Sequence, residues 1–208
     1  MDFHLWLAFV TASVVLLLIP GPTVLLVLSY SLSKGRSVAV ASALGVALGD
    51  FIAMTASLAG LGALVLASAE LFTVLKWVGA AYLVWLGVKL WRSAGSGGLT
   101  PMGTDKVQAR GVFGHAAVVT ALNPKSIAFF IAFAPQFVRP EQPLLPQFAV
   151  MIATFVGLAG VNALVYALAA DKLRRVIARP AFNNWISRCG GVALIGMGVL
   201  TATLRRPA

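Results

Sequence analysis

The chain has 208 residues, 60% of them hydrophobic and 11% charged, whereas a soluble domain is usually about 45–50% apolar and roughly 25% charged. With a mean hydropathy of +0.93, there is too little polar surface to cover a water-soluble globule, and the same apolar content excludes disorder. The net charge of +10 does not read as nucleic-acid binding, because the basic residues stand at the ends of apolar runs, where Lys and Arg fix orientation and meet anionic headgroups.

A helical span needs about 20 apolar residues, and six runs qualify. The first, Leu5–Leu32, has no Lys or Arg before it. It far exceeds the roughly 7–15-residue apolar core of a signal peptide, so it is expected to be a retained span. It is interrupted by Pro20-Gly21-Pro22. The second lies within Val38–Ala67 and carries Gly49-Asp50; the third is Leu71–Leu90. Arg92–Arg110 then has flexible-linker composition. The fourth run, Val112–Val138, is interrupted by Asn123-Pro124-Lys125. The fifth, Leu144–Ala170, carries Gly160 and Asn162, and the sixth is Phe182–Leu204. None alternates polar with apolar residues as a barrel strand must, so the expected class is an all-α polytopic membrane protein with six transmembrane helices.

Charge between the runs sets the topology. Lys34 and Arg36 follow the first, Lys89, Arg92, Lys106 and Arg110 surround the linker, and Lys172, Arg174, Arg175 and Arg179 follow the fifth. The opposite loops carry Glu70 with Lys76, and Arg139 with Glu141. The positive-inside rule puts the basic loops in the cytoplasm and both termini outside. Arg205 and Arg206 run against this, and a first segment that re-enters rather than spans would put the N-terminus inside.

The linker, residues 92–110, separates two halves, 1–91 and 111–208. Each half runs proline break, polar residue in the next span, glycine-spaced helix: Gly79 and Gly87 in the third run match Gly190 and Gly198 in the sixth. Three spans per half is an odd number, so the halves are expected to be inverted repeats with broken first and fourth helices. Taken alone, the glycine spacing reads as close helix packing, and such faces also permit a homodimer.

Proline inside a helix removes a donor and crowds the carbonyl four residues back. The freed groups cannot face lipid and must meet protein, water or ligand. Asp50 follows Arg36 by fourteen residues, about 21 Å along a helix, and Lys125 is similarly deep in its run. Ionisable groups at that depth face a partner or an aqueous cavity. Asp50 is expected to hold a substrate ammonium or a transported proton and Lys125 a carboxylate, unless the two simply pair and lock two helices. Half-helices beginning after Pro22 and Pro124 would aim their N-termini at the same place. Asn123 and Asn162 are amides that can bridge broken backbone or bind a ligand, with the bridging role favoured for Asn162; Gln136 is expected to cap its span.

Enzyme signatures are missing: there is no Gly-x-x-x-x-Gly-Lys-Ser/Thr run, no Ser-His-Asp set and no His-Glu-x-x-His. The single Cys189 leaves no cysteine pair, and His4 and His115 are isolated, so no metal site or cofactor is expected. Energy must come from an ion gradient or from the substrate's own gradient.

These motifs resemble a known family. Pro20-Gly21-Pro22, Gly35-Arg36, Gly45 and Gly49-Asp50, then Gly79-Ala80-Ala81-Tyr82-Leu83 and Leu86-Gly87-Val88-Lys89, resemble the lysine-exporter superfamily in its homoserine/threonine-resistance branch (LysE/RhtB type). The likeness is sharpest at Leu122-Asn123-Pro124-Lys125 with Phe129-Phe130 and Pro135-Gln136-Phe137. It implies an exporter of amino acids or their derivatives in the bacterial inner membrane, driven by the proton-motive force. The pathway positions it implies are Pro20, Gly21, Pro22, Asp50, Asn123, Pro124 and Lys125. Family substrates range over basic, neutral and hydroxylated amino acids, and nothing in this chain selects one. The competing readings are a passive channel for small solutes or ions, a scaffold subunit, and a metal exporter, which the scarcity of Cys and His disfavours.

Overall fold

Seven α-helices and no strand are found among the described residues of the computed structural model, which are 1–19, 21–67, 69–92, 109–139, 142–170 and 180–203. Pro20, the linker interior 93–108, Glu141, the basic residues Lys172, Arg174, Arg175 and Arg179, and Arg205 and Arg206 lie outside them. The helices are α1 (Phe3–Leu18), α2 (Pro22–Ala67), α3 (Ala69–Arg92), α4 (Ala109–Ala121), α5 (Pro124–Ala128), α6 (Leu144–Leu168) and α7 (Pro180–Thr203). α5 runs on as a π turn over Phe129–Phe133 and a 3₁₀ turn over Ala134–Phe137. Pro135 cannot donate to the carbonyl four residues back, so the helix widens before it and tightens after it.

The helical assignment of α2 is unbroken over 46 residues, where a loop was expected near Lys34 and Arg36. A straight helix would put Thr23 and Gly49 about 39 Å apart. Yet the Thr23 hydroxyl bonds Thr120, and a Cβ on Gly49 would meet the Thr120 side chain at 2.6 Å. Likewise Tyr30 bonds His115, while Gly45 lies against Phe113, Ala116 and Ala117. The chain therefore doubles back between Tyr30 and Val38, giving two legs, Pro22–Ser31 and Ser37–Ala63.

The first leg and α1 form one bent pair, at 59°. By length and composition, Ser37–Ala63, Ala109–Phe137 and Leu144–Leu168 can each cross a membrane, and the bent pair brings the number to four among the described residues. α3 and α7, at 24 residues each, are about 36 Å long, but the apolar part of α7, Ser187–Val199, is short. Large apolar side chains point outward on most helices, among them Trp77, Trp85, Leu122, Val161, Val165 and Trp185, a surface that suits lipid.

Two apolar clusters build the interior. One gathers Phe9, Leu16, Met54, Leu58, Phe129, Phe130, Met151 and Phe155, with Phe130 edge-on to Phe155 at a 4.8 Å ring separation. The other gathers Val27, Tyr30, Val38, Val46, Val112, Ala116 and Ala163. At one end of the molecule, buried Gln147 clamps the turn before α6. Its Oε1 accepts from the Arg139 N–H at 2.9 Å, and its Nε2 donates to the Arg139 carbonyl at 2.9 Å. Arg139 in turn ion-pairs with Asp2, at the start of α1.

The matched glycines pack helices, as their spacing suggests. A Cβ on Gly87 would stand 2.6 Å from the Gly191 carbonyl oxygen, and one on Gly198 would stand 2.7 Å from the Ala80 carbonyl oxygen. Early residues of α3 thus meet late residues of α7, so the two run antiparallel with backbones in contact. Gly87→Val is expected to force them apart and cost about 1–3 kcal/mol, measured as a lowered unfolding temperature in detergent. Gly157→Ala in α6, where a Cβ meets nothing within 4 Å, should be neutral or gain up to about 1 kcal/mol from helix propensity.

Candidate functional site

α1 stops at Leu18 in mid-protein, and its last carbonyls must find donors elsewhere. They find side chains from two other helices. Lys125 Nζ donates to the Leu16 carbonyl at 3.0 Å and to the Ile19 carbonyl at 2.8 Å. Asn162 Nδ2 donates to the Leu17 carbonyl at 3.3 Å, and the Tyr166 hydroxyl makes a long bond, 3.5 Å, to the Leu18 carbonyl. A cation at the C-terminal end of a helix also meets the negative end of its dipole.

The second break is capped from within. Asn123 is the N-cap of α5: its Oδ1 accepts from the Lys125 N–H at 3.1 Å, and Pro124 takes the first helical position, where a missing N–H costs nothing. The other end of the same amide, Nδ2, donates to the Thr23 hydroxyl at 3.0 Å. Thr23 opens the first leg of α2 just after Gly21-Pro22. The stem of Lys125 lies over Gly21, where a Cβ would come within 3.4 Å of Nζ. The two breaks therefore stand against each other.

Asp50 closes the arrangement. It is 2% exposed and sits on the second leg of α2, where the Ser126 hydroxyl of α5 donates to its carboxylate. Its Oδ1 has no hydrogen-bond partner. Asp50, Lys125, Asn123, Asn162, Thr23 and Tyr166 all line one cavity of about 30 Å³. Leu16 and Ala159 of one apolar cluster and Val27, Val46 and Ala163 of the other line it too, so it lies between the clusters. A polar cavity needs about 10–15 Å³ of such space to hold a water, so this one has room for water beside Asp50, and it is partly open.

Of the residues singled out from sequence, Gly21, Asp50, Asn123, Lys125 and Asn162 meet here, with Pro22 and Pro124 opening the helices beside them. Pro20 lies outside the described residues. Lys125 gives two of its three N–H groups to helix-end carbonyls, and its charge also acts on Asp50. Thr23, Ser126 and Tyr166 were missed. Thr23 and Ser126 immediately follow the Pro-Gly-Pro and Asn-Pro-Lys breaks, which is the signal that marks them. His115 bonds the Tyr30 hydroxyl at 2.7 Å, away from the cavity.

Comparison with known proteins gives the family. The family model of the LysE type translocator matches residues 14–205. This chain belongs to the LysE translocator family. It is a membrane transporter and not an enzyme. The translocator is 35% identical over 205 residues to an uncharacterised membrane protein of Vibrio cholerae, covering 99% of this chain and 100% of the relative. It is equally 35% identical over 205 residues to a homoserine/homoserine lactone efflux protein of Salmonella typhimurium, covering 99% of each. An uncharacterised membrane protein of Pseudomonas aeruginosa is 38% identical over 136 residues, 64% of this translocator and 63% of the relative. No solved structure matches it.

Proposed function

We propose that this translocator is a secondary exporter of amino acids or amino-acid derivatives in the bacterial inner membrane, working by proton antiport. The observation that carries this reading is buried Asp50, with an unpartnered oxygen, in a cavity where two broken helices meet. The relatives named for homoserine and homoserine lactone efflux point to the same substrate class. The substrate enters from the cytoplasm and its ammonium meets Asp50; a proton arriving from outside replaces it there and drives release.

The mechanism we propose is alternating access between two inverted halves, 1–91 and 111–208, in six spans with both termini outside. Helix directions support it. The second leg of α2 runs parallel to α4, since Gly45 meets Phe113 and Ala116 while Gly49 meets Ala117 and Thr120. α1 runs parallel to α6, since Trp6 bonds Thr154 and the Leu17 carbonyl bonds Asn162. α3 and α7 are antiparallel. Six alternating spans require all three directions. Gly49, Gly79 and Gly87 precede Gly160, Gly190 and Gly198 by the same 111 residues (49 to 160, 79 to 190, 87 to 198). Under that shift the Gly87–Gly191 contact becomes the Gly198–Ala80 contact, as a pseudo-twofold axis demands.

A passive channel needs a continuous path, whereas this cavity lies between the two apolar clusters. Metabolite profiling of the medium from overproducing cells, with and without a protonophore, tests the reading. Amino acids or their derivatives should accumulate outside, and the protonophore should stop it; efflux unaffected by the protonophore would remove proton antiport.

A further inference from the structure

We infer that the solute leaves along α1, past Ser13, through a stack of phenylalanines that forms the gate on the Asp2 side of the cavity, the outer side in the proposed orientation. This rests on the alternating-access reading and adds the exit route to it. Phe9 and Ser13 precede cavity-lining Leu16 on the buried face of α1, Met54 follows Asp50 on α2, and Met151 and Phe155 precede Ala159 on α6. The first apolar cluster therefore fills the space between the cavity and the end of the molecule that holds the Asp2–Arg139 pair. Its middle is six buried phenylalanines, Phe9, Phe129, Phe130, Phe133, Phe137 and Phe155, with ring separations of 4.8–6.4 Å. On the opposite side the cavity lining is aliphatic, from Val27, Val46 and Ala163.

Ser13 is the misfit on this route. It is 0% exposed, and its Oγ has no hydrogen-bond partner among the described residues. The Thr11 and Ser29 hydroxyls donate to the carbonyl four residues back, at 2.9 and 2.8 Å, which is how a hydroxyl in an apolar helix is usually satisfied. Alanine would pack at position 13 without burying an unmet hydroxyl. The hydroxyl gains partners once water and solute reach it, and they reach it when the stack parts. The local structure allows that. Phe129–Phe133 is a π turn, a distortion frequent at functional sites, and Pro135 withholds a donor just beyond it. Phe9 is the α1 member of the stack, 5.4 Å from Phe137 and 6.4 Å from Phe129. Beyond Phe9, α1 is tied down by polar contacts, the Asp2–Arg139 pair and Trp6 Nε1 donating to the Thr154 hydroxyl at 3.0 Å. Swinging the Asp2 end of α1 aside breaks these contacts together and bares Ser13.

The test is thiol accessibility in spheroplasts overproducing the full-length protein with Cys189→Ser, probed by a charged, membrane-impermeant methanethiosulfonate added outside. Such a reagent modifies thiols that meet water and spares those in lipid or in a packed core. Ser13→Cys, nearly isosteric, should react. Val14→Cys, on the outward-facing side of α1, should react at least tenfold more slowly. Met54→Cys, one turn beyond Asp50, reads the same route from α2 and should react too, which keeps the test decisive if Ser13→Cys folds poorly. Arg139→Ala removes a contact that only the closed state makes. An exposed ion pair is worth little, so labelling of Ser13→Cys should rise by about two- to fivefold. Ser13→Cys and Met54→Cys both unreactive, or Val14→Cys as reactive as either, overturns the route. Labelling that Arg139→Ala leaves unchanged or slows overturns the part given to the Asp2–Arg139 pair. Export from the same cells judges the exporter reading separately: labelling without export would sink that reading and leave the gate, and export with both thiols unreactive would sink the route alone.

Discussion

Asp50→Asn should lower export by about ten- to a hundredfold while the protein reaches the membrane at wild-type levels. The size follows from the bond removed: a hydrogen bond to a charged group is worth about 1.5–3 kcal/mol, and each 1.4 kcal/mol is about tenfold. Folding should survive for two reasons. Asparagine has the same shape and keeps an oxygen to accept from the Ser126 hydroxyl. It also removes a buried charge whose desolvation weighs against the fold. Two assays separate the roles of Asp50. Counterflow, in which labelled substrate exchanges without a gradient, requires binding alone; efflux driven by an imposed pH gradient requires proton coupling as well. Loss of both marks Asp50 as the ammonium site. Retained counterflow with lost gradient-driven efflux would make it a proton carrier only. Wild-type behaviour in both would take Asp50 out of the pathway.

The helical class, the places where helices break and the burial of Asp50 were legible because each follows from local sequence. Pro22 and Pro124 fit the first turn of a helix and little else deep in an apolar run, and α2 and α5 do begin there. The glycines of α3 and α7 were legible as packing positions since small residues at helical spacing have few other uses in lipid, and the backbones touch at Gly87–Gly191 and Ala80–Gly198. The turn within α2 was legible from Lys34 and Arg36 as a change of direction but not as helical backbone, because charge marks where a chain leaves the membrane and not how it turns.

What stayed hidden depends on distant pairs. Lys125 was legible as an ionisable residue at the second break, but the target of its ammonium is set by where α1 ends, more than a hundred residues earlier in the chain. Thr23, Ser126 and Tyr166 are ordinary small or amphipathic residues in apolar runs, and only the meeting of the two breaks gives them partners. Gln147 was likewise invisible, since its four bonds close on backbone groups of one turn. A residue that satisfies broken backbone leaves no pattern of its own in the sequence; the break leaves the pattern.

Lys125→Met should destabilise the protein in the absence of any substrate, and this separates a helix cap from a substrate ligand. Methionine keeps the length and most of the apolar stem that crosses Gly21, so packing is largely retained and the loss is the ammonium. The Leu16 and Ile19 carbonyls then lose the side-chain donor that both share. An unsatisfied buried group costs about 1–3 kcal/mol, whereas hydrogen bonds between helices in a membrane average about 0.6 kcal/mol. The Leu16 carbonyl still accepts from the Ile19 N–H at 3.2 Å, and the adjoining cavity can let a water replace part of the lost bonding. The expected cost is therefore about 1–4 kcal/mol, read as a lower unfolding temperature of the substrate-free protein in detergent. Lys125→Arg should recover much of it, because a guanidinium can also donate to both carbonyls. Export should fall in the methionine variant through a displaced end of α1. A substrate-free protein as stable as wild type, with export lost, would instead make Lys125 a substrate ligand.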